Sequence, residues 1–125
     1  MKQIPLQKKL NYLGDFGCYL LCLIHQFGQD EDVLRLYDYF LNKGFIREDC
    51  YILDPVKILK YLTGNNYKVE NVKALPSHYD FYVEHWFNKK TGYGHFTLHD
   101  WDSLGESNTR LNGVIDSYRV FTKLL

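Results

Sequence analysis

The sequence predicts an α+β domain in which helices come first and an antiparallel sheet second. Up to about residue 64, apolar residues recur at helical spacing between helix start and stop signals. After about residue 67 the chain turns to short runs rich in Val, Phe, Tyr, Thr and Trp that partly alternate. Helices followed by strands, rather than alternating with them, favour an antiparallel sheet. The 125 residues are enough for one domain, 1–125, with a real core, and no linker, internal repeat or low-complexity segment divides them.

Residues 1–13, with Pro5, are expected to form an extended arm. GCYLLCLIHQFG (17–28) predicts a short buried helix ending near Gly28. DEDVLRLYDYFLNKG predicts an amphipathic helix with Asp30 as N-cap, acidic residues in the first turn and Gly44 past the end. Its stripe is Val33, Leu34, Leu36, Tyr37, Phe40 and Leu41. LDPVKILKYLTG predicts a third helix, capped by Asp54, with Pro55 at the first helical position and Gly64 as the stop. YKVENV, DFYVEHWF, GHFTLHDWDSL and GVIDSYRVFTK predict strands; NKKTGYG reads as a hairpin loop and GESNTRLNG as another connection.

Fifteen basic residues balance fifteen acidic ones. That balance argues against a nucleic-acid partner, whose binding rests on a basic surface, and against a polybasic membrane anchor. No stretch approaches the roughly 18–20 apolar residues of a membrane span, and the first residues lack the apolar core of a signal peptide. A cytoplasmic location is expected, with cell lysis as the route outward. Three cysteines, an odd count, point to free thiols in a reducing compartment. Aromatic residues reach 17%, with eleven tyrosines, which suits a small core with wet edges or a groove that grips a polar ligand.

The chemistry-bearing stretch is GDFGCYLLC (14–22). It sets Cys18 at the mouth of a helix, where unpaired N–H groups and the helix dipole make a thiol acidic and could hold an oxyanion. Gly17 leaves room for a substrate backbone. Cys22, one turn on, reads as core filler. A cysteine nucleophile needs a histidine to take its proton and a third group to orient that histidine. His25 lies too far along the helix and His78 sits in a loop; His85, His95 and His99 fall on predicted strands. His95 stands out because GYGHF puts it after a glycine-flanked loop at the start of a strand. A tight turn around Leu98–His99 would bring Asp102 opposite His95, whereas Asp100 reads as a turn residue. A zinc site from Cys18, Cys22, His95 and His99 is disfavoured. Positions 95 and 99 of one strand lie about 13 Å apart, and the cysteines belong to a helix the core needs. No metal and no cofactor are expected.

This order of elements resembles the papain-like cysteine peptidases, and more closely their C39-like branch. The residues that carry the resemblance are Gln7, Phe16-Gly17-Cys18, Gly94-His95-Phe96 and Asp102-Ser103-Leu104. The tail DSLGESNTRLNGVIDSYRVF is similar to the ends of small phage and spirochaete proteins of that branch. The resemblance implies a papain-like fold and a thiol-dependent amide hydrolase. Cys18 would be nucleophile, His95 base and then acid, Asp102 the orienting residue and Gln7 the side-chain oxyanion donor. Asp100 or Asn108 competes for the third role, and Gln3 for the fourth. The substrate would be a peptide, a peptidoglycan peptide or a protein. The rival expectation is an inactive papain-like domain that binds a peptide or protein partner. The oligomeric state is not encoded in these motifs.

Overall fold

The computed structural model describes residues 4–105 and 113–125. Among these residues four α-helices precede a four-stranded antiparallel sheet, so the α+β class and the helix-then-strand order hold. The helices are α1 (Leu6–Phe16), α2 (Cys18–Gln26), α3 (Val33–Lys43) and α4 (Pro55–Thr63). The strands are β1 (Tyr67–Val72), β2 (Phe81–Asn88), β3 (Gly94–Thr97) and β4 (Gly113–Lys123), in the spatial order β1-β4-β2-β3.

The expected extended arm is instead helix α1. Pro5 occupies its N-cap position, where a missing N–H costs nothing, rather than holding an extended chain. The helix turns Lys9 and Leu13 inward. Lys9 is tolerated there because its ammonium pairs with the Asp38 carboxylate of α3 at 2.8 Å.

The other helices begin and end close to their signals. Asp54 caps α4 by accepting the Lys57 N–H at 3.0 Å, and Gly64 closes it at φ 77°. Gly44 ends α3 at the same angle. The Asp30 cap does not form. A 3₁₀ turn, Asp30–Asp32, comes before α3, and the Asp30 carboxylate binds His25 Nδ1 at 2.6 Å. That longer-range partner competes successfully with the orphan N–H groups of the helix start.

β4 is the spine of the sheet. It pairs with β1 (Val69 opposite Phe121) and with β2 (Phe81 opposite Phe121). The helices pack on it through Leu20, Leu23 and Ile24 of α2, Leu36, Tyr37 and Phe40 of α3, and Ile58 and Leu59 of α4. Each such side chain, fully buried, contributes about 1.5–3 kcal/mol relative to exposure. They meet Val83 and the stacked pair Phe81–Phe121, whose ring centroids are 4.5 Å apart. β3 lies at the edge and α2 covers it. The outward backbone groups of Phe96 do not face water. Its N–H donates to Cys18 Sγ at 3.4 Å, and its carbonyl accepts from Cys22 Sγ at 3.5 Å. Among the described residues, no helix is long and apolar enough to cross a membrane.

Candidate active site

Gly17 makes the corner on which the site is built. It ends α1 and begins α2, its N–H bonding Leu13 O (3.1 Å) while its carbonyl takes the first α2 bond from Leu21 (2.8 Å). A Cβ here would stand 2.5 Å from the Leu13 carbonyl oxygen, so a larger residue would push the helices apart. The result is that Cys18 opens α2, half-buried, with the N–H groups of the first turn beside it. The sulfur also receives the Phe96 N–H described above.

His95 comes from the other side of the chain. It stands second in β3, opposite Trp86. After Thr97 the chain turns back at once, with Leu98 and Trp101 bridged by N–H···O bonds of 2.9 and 3.4 Å. His99 and Asp100 form that turn, which is why the strand expected over GHFTLHDWDSL stops at Thr97. In antiparallel register, Asp102 then falls opposite Thr97. Side chains alternate faces, so Asp102 and His95 share one face on a diagonal. His95 Nε2 and Asp102 Oδ1 are 2.7 Å apart. Asp102 Oδ1 also accepts the Leu104 N–H at 2.9 Å, which fixes the carboxylate. The side chains of His95 and Asp102 are 15% and 6% exposed.

Cys18 also acts on the His95 ring. Burial favours the neutral ring, but interaction with Cys18, the bond to Asp102 and the negative charge of both outweigh it. The imidazole is pushed up from 6.5 to about 9. Burial, with the charges of Cys18 and Asp102 added, pushes the Cys22 thiol far above its ordinary value, so Cys22 stays protonated. Burial likewise pushes the Cys50 thiol up, to about 12.

Residues 5–123 match a family described as "Protein of unknown function, DUF261". The chain belongs to the DUF261 family. No curated protein and no solved structure matches it. In this DUF261 member Cys18, His95 and Asp102 all lie within the matched segment, although 77 positions separate the first two.

The remaining sequence candidates lie elsewhere. Gln7 is not beside Cys18. It projects from the start of α1, exposed, with its Nε2 donating to Asn11 Oδ1 at 3.0 Å. It stands about 13 Å down the helix axis from Phe16 at about 1.5 Å per residue. The oxyanion role expected of it is corrected on that ground. Asp100 sits exposed in the turn. Gln3 and Asn108 lie outside the described residues. His25 stacks on Trp101 at 4.0 Å and pins the Asp102 turn to α2. His99 lies 3.5 Å from Glu84. Among the described residues, no group of three His, Cys, Asp or Glu side chains is placed to hold a metal ion.

A cavity of about 660 Å³ opens beside Cys18, lined among others by Tyr19, Tyr51, Asn71, His85, Phe96 and Arg119. Sequence reasoning missed His85 and Arg119. His85 Nδ1 lies 2.6 Å from Asp116 Oδ1, a second His–Asp pair. Gly94 lies flat against that imidazole, where a Cβ would come within 2.6 Å of Nε2. The available signal was alternation along β2 and β4, but which strands are neighbours is not written locally.

Proposed function

We propose that this DUF261 protein is a thiol-dependent amide hydrolase, a peptidase or amidase, with a papain-like arrangement of Cys18, His95 and Asp102. One observation carries the reading: the His95 ring, held at 2.7 Å by a buried carboxylate, is also close enough to the sulfur at the mouth of α2 to be acted on by it. In the reaction, the Cys18 thiolate adds to the amide carbonyl carbon. The oxyanion lies against the N–H groups at the start of α2. The His95 imidazolium gives its proton to the leaving nitrogen, the C–N bond breaks and the amine departs, leaving a thioester on Cys18. Neutral His95 then takes a proton from water as that water adds to the thioester. Collapse releases the carboxylic acid, and the thiolate–imidazolium pair returns. Asp102 holds the ring and keeps its charge throughout.

A second reading is a domain that grips a peptide or protein without turning it over. Its support is the position of Gln7, which leaves no oxyanion donor from that side chain. One experiment separates the two. Internally quenched peptides of mixed sequence are incubated with the wild-type protein and with Cys18→Ala. Cleavage by the first alone, with an acylated Cys18 trapped at low pH and seen by mass spectrometry, supports the hydrolase. Absence of both across the panel removes it.

A further inference from the structure

Arg119 stands in the cavity that also holds Cys18, and its surroundings fix it without neutralising it. It rises from β4, the central strand. Its Nη1 donates to Asn71 Oδ1 on β1 at 3.0 Å and to Ser117 Oγ at 3.1 Å. Both acceptors are uncharged. The guanidinium carbon lies 5.2 Å from the centre of the Phe96 ring, which provides a shelf beneath it. Phe96 is the residue whose N–H bonds Cys18 Sγ, and Tyr19, next to Cys18, stacks on the same ring at 4.5 Å. The cation is thus tied to the nucleophile through one aromatic side chain.

A guanidinium has five N–H donors in a planar fork. The bonds to Asn71 and Ser117 use the two on Nη1. The Nε–H and the two hydrogens of Nη2 remain, and Nε–H with one Nη2–H forms the parallel pair that fits a carboxylate. Other charges on the cavity wall are engaged or exposed. Asp49 is paired with Arg47 at 3.0 Å, which holds its carboxyl below the usual range. Asp116, which lies outside the lining, is engaged by His85 at 2.6 Å and accepts from Ser117 Oγ at 3.1 Å. Asp15 is exposed at the end of α1. Among the described residues, no carboxylate pairs with Arg119.

We propose that the Nε–H/Nη2–H edge of Arg119 is a carboxylate-binding subsite in the cavity beside Cys18, so that this protein selects amides carrying an acidic group next to the bond cleaved. The second half of this statement rests on the hydrolase reading; the subsite itself does not. Asn71, Ser117 and Phe96 hold the fork in advance, so little side-chain entropy is lost when a ligand arrives.

The test reads binding, not turnover. The α-amides of N-acetyl-L-glutamate and N-acetyl-L-glutamine, which differ by a single carboxylate, are titrated separately into ¹⁵N-labelled protein at constant chloride, following the Arg119 Nε–H and Phe96 N–H resonances. The glutamate compound should shift both saturably, and bind at least about tenfold more tightly than its neutral partner, the loss expected when a charge-assisted bond is removed. Arg119→Gln should abolish the difference. Arg119→Lys, which keeps the charge without the fork, should retain only part of it and shows that the fold tolerates change at this position. Equal shifts with both compounds, no shift, or a preference that survives Arg119→Gln each overturn the subsite. Failure of every peptide to be cleaved, with the glutamate preference intact, instead overturns the hydrolase reading alone.

Discussion

Asp102 Oδ1 meets His95 Nε2 at 2.7 Å, although the two residues are only seven positions apart on the chain. The short gap works because Leu98 and Trp101 close a tight reversal, which sets Asp102 diagonally across from His95 on the same face. If that carboxylate orients the ring, Asp102→Asn should lower turnover of a cleavable peptide by about 10²–10⁴-fold. It should also bring the alkaline limb of the pH profile, expected near 9 in the wild type, to lower pH. A purely structural role would leave that limb in place.

Thiol labelling should be selective. At pH 6 iodoacetamide should modify Cys18 and spare Cys22 and Cys50, which are buried and whose thiols are pushed up by that burial. His95→Ala should slow labelling of Cys18 about tenfold or more, because the thiolate loses its counter-ion. Mass mapping of the alkylated peptides gives the answer. Equal labelling rates in the two proteins would remove the ion pair and favour the binding domain.

Stability should depend on pH through His95. Its pKa rises from about 6.5 unfolded to about 9 folded, so the folded state holds the proton more tightly. The resulting stabilisation is complete below about pH 6.5, declines between about 6.5 and 9, and is gone above. Urea midpoints at pH 6 and pH 10 should therefore differ more for the wild type than for His95→Gln. An equal difference in the two proteins would show that other groups carry the dependence.

Gln7→Ala should leave peptide turnover within about twofold of wild type, as for other exposed substitutions. An oxyanion donor would cost about 10²–10³-fold. A loss of that size would mean Gln7 swings onto the site when substrate binds.

Gly17→Ala should destabilise the fold by about 1–3 kcal/mol, the range for forcing atoms into a packed site. The added carbon would stand 2.5 Å from the Leu13 oxygen, and relief would shift α2 together with Cys18. Denaturant unfolding measures the first effect and the iodoacetamide rate the second.

Much of this could be read from local chemistry. Asp54-Pro55 and Gly64 bracket α4 as their side chains dictate, and Gly17-Cys18 opens α2. Chain order led to His95 and Asp102, and the reversal at Leu98–Trp101 supplied the geometry. What escaped depended on distant partners. The α1 stripe was obscured because one of its inward residues is a lysine, acceptable only beside Asp38. Asp30 looks like a cap until His25 is seen to hold it. Arg119 and His85 share a cavity only once β4 lies beside β2, and no short stretch announces that pairing. Gln7 was placed by analogy of order, which says nothing about how far a helix carries it away.

The sulfur contacts on Phe96 also bear on solubility. An uncovered outer strand invites a second chain to pair with it. Here two thiol-bearing side chains latch that border shut, and one of them is the proposed nucleophile. Bulky alkylation or over-oxidation of Cys18 would then do more than silence chemistry: it would unfasten one side of the latch and leave the molecule prone to self-association.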